Sequence, residues 1–278
     1  MSRPILADQA AIVIPALNES LRIREVVQAA RAQCPHVIVV DDGSDDGTLE
    51  RIADLAVVRL RHPRRLGKGA ALRTGFAEAA RLGLRGVMTM DGDGQHDAAD
   101  FPRLLAAANR HPGAIVIGAR LRQRACQPWL RRLGNAFGDW GIAWGCGYRL
   151  VDSQSGQRFY PRAVFTLPGV PGEGFVYEAQ LLIAAARRLG SGVVAVPIVT
   201  RYPGDGHGAM RPSHFRLLRD LWRITSQVTA EVLAHGHLAA TWRSVRASRV
   251  VVDGGAETAS RPPVPDASAT PLHPGKEA

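Results

Sequence analysis

Three short apolar runs in this chain end alike, and together they narrow the fold more than any other feature. "AAIVIPALNE" at 10–19, "HVIVVDDGSDDGT" at 36–48 and "GVMTMDGDGQHD" at 86–97 are each apolar for the length of a strand and then turn abruptly polar, two of them through aspartates and glycines. A strand apolar along its whole length is buried on both faces, the condition of a parallel sheet covered by helices on either side. The intervening segments have helical character. "SLRIREVVQAARAQ" spaces Leu21, Val26, Val27 and Ala30 for one helix face behind a possible N-cap at Ser20, and "GKGAALRTGFAEAARLG" is an Ala-rich helix closed by Gly83. A helix is expected from about Thr48 to Leu55 and another in "FPRLLAAANRH"; "AVVRLRH" and "AIVIGAR" supply further strands. The fold class is therefore α/β, a mostly parallel sheet with helices on both faces. In such sheets ligands sit beyond the carboxyl ends of the strands, so the polar clusters that follow the strands, with Arg120 after the fifth, converge on one edge.

After Arg120 the pattern changes. Trp129, Phe137, Trp140, Trp144 and Tyr148 are mixed with Arg and Gly; a Gly/Pro loop then leads to a helix in "VYEAQLLIAAARRLG" and a strand in "GVVAVPIVTRY". From His214 to about Arg249 the chain is basic and helical, with Leu217, Leu218, Leu221, Trp222, Ile224 and Val228 as an apolar stripe. The last residues have almost nothing to bury. The expected division is a catalytic domain over 1–212, a basic amphipathic helical segment over 213–249 and a disordered tail over 250–278.

Charge and cysteines bound the function. The 35 Lys and Arg against 25 Asp and Glu give a net +10, which draws the chain toward polyanions: nucleic acid, phosphorylated small molecules or an anionic bilayer. The three cysteines, Cys34, Cys126 and Cys146, are far apart and lack metal-ligand spacing, so neither a disulfide framework nor a zinc site is expected. No run reaches the roughly 18 apolar residues of a spanning helix, and the early apolar run is too short for a secretory leader. The expected location is the cytoplasm, with a peripheral place on the inner membrane face.

The turn "DGDGQHD" carries the most specific chemistry. Asp91 and Asp93, two apart in a tight turn, can both reach one hard cation, and Gly92 between them leaves room for a phosphate. A calcium loop of the EF-hand kind would need glycine where His96 stands and glutamate where Pro102 stands. An ordinary solvated turn and a metal-using nucleotidyltransferase both remain compatible with the decapeptide. "VVDDGSDDGT" lacks the Gly-x-Gly-x-x-Gly spacing, yet an acid after a strand is placed to meet a ribose or a base, unless the segment is a plain polar turn. "RLGKGAAL" is not a phosphate loop, since His62 stands five before Gly67, but Lys68 can still pair with a phosphate. A nucleic-acid-binding protein is the third reading of the charge; the aromatics form no nucleic-acid module, and the acidic strand ends would repel phosphates, so no nucleic-acid partner is expected.

Taken in order, "VIPALNE", "VVDDGSDDGT", "GKGAALRTGF" and "MDGDGQ" resemble the family 2 glycosyltransferases of GT-A fold, nearest the branch of dolichyl-phosphate and polyprenyl-phosphate sugar synthases. The resemblance is sharp from Ala11 to Ala119 and looser through "DSQSGQRFY", "YEAQLL" and "VPIVTRY". It implies that Pro15, Ala16, Asn18, Glu19 and Asp42 hold the nucleotide, and that Asp91 and Asp93 hold Mg2+ or Mn2+ and the diphosphate, with Gln95 as a third ligand. The donor would be a nucleotide-diphosphate sugar and the transfer inverting. Lys68 or a nearby arginine would absorb charge on the departing diphosphate. A lipid-phosphate acceptor would need arginines to hold it, with Arg120 and Arg158 ahead of Arg131 and Arg132; a hydroxyl acceptor would need a base, for which Asp152 and Glu178 are candidates. Gln157 departs from the family, which often has phenylalanine there, and many lipid-phosphate members carry membrane helices after the catalytic domain. The aromatic and basic segments 127–149 and 213–249 suit a surface that dips into headgroups, or core packing, or a dimer contact.

Overall fold

The computed structural model describes residues 3–121, 129–172, 174, 176–200 and 238–254; of 129–135, 137 and 238–240 only the backbone is described. In chain order its regular elements are β1 (Ala10–Ala16), α1 (Ile23–Gln33), β2 (His36–Asp41), β3 (Val58–Arg61), α2 (Lys68–Arg81), β4 (Gly86–Thr89), α3 (Phe101–Arg110), β5 (Ile115–Ala119), α4 (Trp129–Cys146), β6 (Arg158–Pro161), α5 (Arg162–Phe165), α6 (Val176–Leu189), β7 (Val193–Pro197), α7 (Leu238–Ala247) and β8 (Val251–Val252). The strands form one sheet in the order β3-β2-β1-β4-β6-β5-β7-β8. All pairings are parallel except those of β6, which runs antiparallel to β4 and β5.

Alternation along the buried strands divides the core in two. Ala11, Val13, Ile38 and Val40 face α2, α4 and α6, where Leu72, Phe76, Ile142 and Leu182 pack. Ile12, Ile14, Val37 and Val39 face α1 and α3, against Val27, Phe101 and Leu104. A strand buried on both faces must be apolar at every position, the pattern seen in the sequence. Helix α2 lies so close to the sheet that a Cβ on Gly75 would collide with Val13, so this helix position requires glycine.

Several local expectations are corrected. The segment from Thr48 to Leu55 holds only a 3-10 turn at Glu50–Ile52, because Asp46 accepts from both Thr48 N and Thr48 Oγ1 and competes with helical hydrogen bonding. Ser20 does not cap α1, which begins at Ile23 behind Arg22; its backbone N–H reaches across to Asp46 Oδ2 at 3.0 Å. Strand β6, four residues without alternation, was not foreseen. The tail expected from residue 250 begins instead with β8, tied down by Arg110 on Asp253 at 2.8 Å. Helix α7 lies within the basic segment expected to be helical, while the boundary at 212 and the stripe from Leu217 to Val228 fall outside the described residues.

Candidate active site

Antiparallel β6 gives the site its makeup. Seven strands run in one direction and turn their carboxyl ends to one edge, and the reversed strand delivers its amino end there, so the loop 152–157 joins the strand-end turns. The amino ends of α2, with Lys68, and α6, with Glu178, point to the same place.

The first two strand-end motifs are laced together. Asn18, with a left-handed φ of 58°, donates its N–H to Ser44 Oγ at 2.9 Å and accepts from Asp45 N at 3.1 Å; Glu19 N donates to Thr48 Oγ1 at 2.9 Å. Asp42 is buried and fully engaged. Leu66 N at 2.9 Å and Gly67 N at 2.7 Å donate to it, and His62 Nδ1 sits 2.7 Å from Oδ1. The carboxylate, expected to hold the nucleotide, shapes the loop that leads into α2. Pro15, Ala16 and Glu19 lie against the third turn, where a Cβ on Gly92 would stand 3.5 Å from Pro15 O and Glu19 Cγ and 3.6 Å from Ala16 Cβ.

In that third turn the acids have few local donors. Lys68 Nζ lies 2.7 Å from Asp91 Oδ1 and 3.1 Å from Glu178 Oε2, its side chain 15% exposed. Burial alone would lower the lysine's pKa, but Asp91 and Glu178 raise it above its ordinary value. Burial would likewise raise Asp91, yet Lys68 and then His96 hold its carboxyl down at about 2. Asp93 is pushed up, by burial first and the Asp91 charge second. Its Oδ1 accepts from Gln95 N at 3.0 Å, and its carbonyl accepts from Arg22 Nη1 at 2.7 Å. His96 is buried 3.9 Å from Asp91 Oδ2, and its Nδ1 has no hydrogen-bond partner among the described residues. Gly156 presses its Cα side on the Asp91 carboxylate, where a Cβ would collide.

Beside this turn sits a second ion pair. Arg120 donates from N and Nε to Asp152 Oδ2 at 2.7 and 2.9 Å and from Nη2 to Oδ1 at 2.6 Å. Asp152 has a left-handed φ of 53°, and the backbone N–H groups of Asp152 and Ser153 both donate to buried Asp139, at 3.1 and 2.8 Å. Arg158 is a correction. Expected to hold an acceptor phosphate, it is 2% exposed and donates to the carbonyls of Ser153, Ser155 and Glu178 and to the Tyr160 hydroxyl, so it stiffens the loop from beneath. Glu178 is buried rather than on a helix surface, and its Oε1 has no hydrogen-bond partner among the described residues.

The structure thus gathers Asp91, Asp93, Lys68, Glu178, Arg120 and Asp152 at one edge and engages Asp42 and Arg158 in hydrogen bonds within the protein. The side chains of Arg131 and Arg132 lie outside the described residues. Sequence reasoning missed Arg22, His96 and Asp139. His96 could have been found from its place one residue after Gln95; nothing in "LRIRE" or "GDWG" marks the other two.

Among the described residues no three His, Cys, Asp or Glu side chains cluster as a self-sufficient metal cage. The donor set nonetheless fits a divalent ion shared with a substrate: two carboxylates in mutual repulsion, an orphaned buried imidazole nitrogen, and a lysine standing where a cation would. Magnesium-type sites commonly use one or two carboxylates and complete the shell with phosphate oxygens.

Residues 11–163 match the family described as Glycosyl transferase family 2. Polyprenol monophosphomannose synthase of Mycolicibacterium smegmatis is 31% identical over 74% of this chain and 82% of its own. UDP-N-acetylglucosamine–dolichyl-phosphate N-acetylglucosaminyltransferase of Methanococcus voltae is 28% identical over 69% and 85%. Among solved structures, glucosyl-3-phosphoglycerate synthase from Mycobacterium tuberculosis, in complex with Mn2+, uridine-diphosphate and glucosyl-3-phosphoglycerate, aligns with a TM-score of 0.56 at 24% identity, covering 81% of this chain and 78% of that one. That last likeness is one of fold.

Proposed function

The chain belongs to glycosyl transferase family 2, and from that premise we propose that it moves a sugar, with inversion, from a nucleotide-diphosphate sugar to the phosphate of a polyprenyl-type lipid. One observation carries the choice of acceptor: both carboxylates that could deprotonate a hydroxyl are held in ion pairs with cationic side chains. Asp152 accepts three hydrogen bonds from Arg120, and Glu178 is buried against Lys68. A phosphate acceptor is already an anion near neutral pH and needs no base, only cations to hold it. The names of the two sequence relatives agree with that class of acceptor.

Asp91, Asp93 and the neighbouring Gln95 are the residues that would hold Mg2+ or Mn2+, and the ion would supply a Lewis acid for the departing diphosphate. The chain's own residues do the rest. Lys68 is fixed by Asp91 and Glu178 within reach of the same diphosphate and offers a positive charge that needs no reorganisation. Arg120, oriented by Asp152 and through it by Asp139, faces the acceptor phosphate. The Pro15–Glu19 turn, packed on Gly92, forms the wall against which the nucleotide lies. The family assignment weighs against a sugar-phosphate nucleotidyltransferase.

The lipid would be met in the cytoplasm, at an anionic inner membrane face. No described helix is long and apolar enough to cross a membrane. Trp140 on α4 and Trp242 on α7 are 42% and 41% exposed, bracket Trp144, and Arg246 lies 5.7 Å from the Trp242 ring, a combination suited to headgroup contact.

The test is transfer from radiolabelled sugar nucleotides to polyprenyl phosphate and to the matching polyprenol. Product on the phosphate and none on the alcohol is the expected result; equal transfer to the alcohol would overturn the acceptor assignment.

A further inference from the structure

Gln157 stands where the resembling family often has phenylalanine, and its side chain is fully buried. Its Nε2 donates to the carbonyl of Asp97 at 2.8 Å, across 60 residues of sequence. Asp97 is the last residue of the acidic turn, and its own carboxylate caps the following 3-10 turn through Ala99 N at 3.0 Å. The preceding residue, Gly156, accepts from Thr89 Oγ1 at 2.8 Å, where the same turn leaves β4. Two consecutive residues therefore grip the turn at its entry and its exit, while Gly156 also wedges the Asp91 carboxylate from the side. The backbone of Gln157 is itself anchored, its carbonyl accepting from Gly118 N at 2.9 Å on β5.

A phenylalanine at this place would fill space and leave the Asp97 carbonyl without this donor. The glutamine makes that hydrogen bond but leaves its own Oε1 buried with no partner among the described residues. An unsatisfied buried acceptor is destabilising, so packing alone does not account for the residue. What the amide adds is a fixed distance between the sheet and the exit of the turn that carries Asp93, Gln95 and His96.

We propose that Gln157 is a positioning residue for the metal and diphosphate site: its amide sets the exit of the acidic turn and so the placing of Asp93 and Gln95 toward the cation. The proposal rests on the reading of that turn given above. It concerns binding of the cation and diphosphate, and leaves the acceptor side untouched. Residues that orient ligands from behind typically change metal affinity by about 10-fold to 100-fold when removed.

The experiment compares wild type with Gln157→Met, which keeps length and volume but cannot donate. Mn2+ binding is titrated by electron paramagnetic resonance with UDP, GDP and CDP in turn, alongside thermal melting and acceptor KM. With the diphosphate that wild type binds, Gln157→Met should bind Mn2+ about 10-fold more weakly, melt at the wild-type temperature or above it, and keep its acceptor KM. Should Gln157→Met fail to fold, Gln157→Leu takes its place; failure of both would make the role structural and overturn the proposal. Unchanged Mn2+ affinity in a folded variant would overturn it while leaving the proposed function standing. A wild type that binds none of the three diphosphates with Mn2+ would sink both.

Discussion

Two acidic turns end β2 and β4, the strands on either side of β1, and although built from nearly the same residue types they do opposite things. The turn after β2 uses its acids internally: Asp42 takes two backbone N–H groups and His62, Asp41 takes Ser44 N at 2.9 Å, and Asp46 takes Ser20 and Thr48. The turn after β4 leaves Asp91 to a lysine side chain and gives Asp93 one backbone donor among the described residues. Neither local composition nor strand position separates them. What separates them is the supply of nearby N–H groups: the chain after β3 folds back over Asp42 and donates two, whereas among the described residues no backbone N–H donates to Asp91, on which Gly156 packs. A carboxylate saturated by backbone donors is a structural part. One paired with a side-chain ammonium can share it with, or exchange it for, another cation.

That contrast can be broken most decisively at Asp93. Asp93→Ala should cut sugar transfer by about 10^3-fold, the scale of losing a preorganised electrostatic group, and leave melting unchanged or higher because a like-charge repulsion disappears. A variant that transfers sugar normally, or unfolds, would make the second turn structural after all. Next in size is Gly156→Ala, whose new Cβ must displace the Asp91 carboxylate. A displacement of about 1 Å at a reacting centre can lower turnover about 10^2-fold, so donor kcat/KM should fall by that order while the fold survives. Steady-state kinetics against donor concentration checks it; a wild-type value would show that Asp91 tolerates movement. The first turn should answer with stability instead. Asp42→Ala leaves Leu66 N and Gly67 N unpaired and should cost about 2–4 kcal/mol in urea unfolding. A stable Asp42→Ala with lost nucleotide binding would reverse the roles assigned to the two turns.

The parts of this arrangement legible in the sequence are those set by local pattern. Fully apolar runs announced a parallel sheet, and a parallel sheet announced the edge on which Asp91, Lys68 and Arg120 meet. The parts that stayed hidden depend on contacts distant along the chain. Nothing in "RFYP" tells that it reverses direction between β4 and β5, yet that reversal brings Gly156 and Gln157 to the acidic turn. Arg158 carries the same guanidinium as Arg120; only the carbonyls of Ser153, Ser155 and Glu178 closing over it make it a strut. The engagement of Asp42 was hidden because its partners, Leu66 and Gly67, lie 24 and 25 residues onward in a loop whose path no pattern encodes.

The smallest expected effect sharpens the comparison through two thiols. Cys34 lies under the starts of β1 and β2, its Sγ 3.3 Å from Ala10 O and 3.4 Å from His36 O; Cys146 ends α4, the helix that supplies Asp139 to the loop beside the second turn. Burial pushes their pKa values up to about 11 and about 12, so at pH 8 the thiolate fraction is about a thousandth or less. Alkylation of either then reports opening of its surroundings, and site-resolved mass spectrometry separates both from Cys126. If the turn after β2 is stiffened by its own hydrogen bonds, Cys34 should label more slowly than Cys146, and Asp42→Ala should speed Cys34 while leaving Cys146 nearly unchanged. Equal acceleration at both would mean that the sheet opens as one unit. The two turns would then differ in chemistry but not in rigidity, and the saturation of Asp42 would matter only to the shape of the loop it closes.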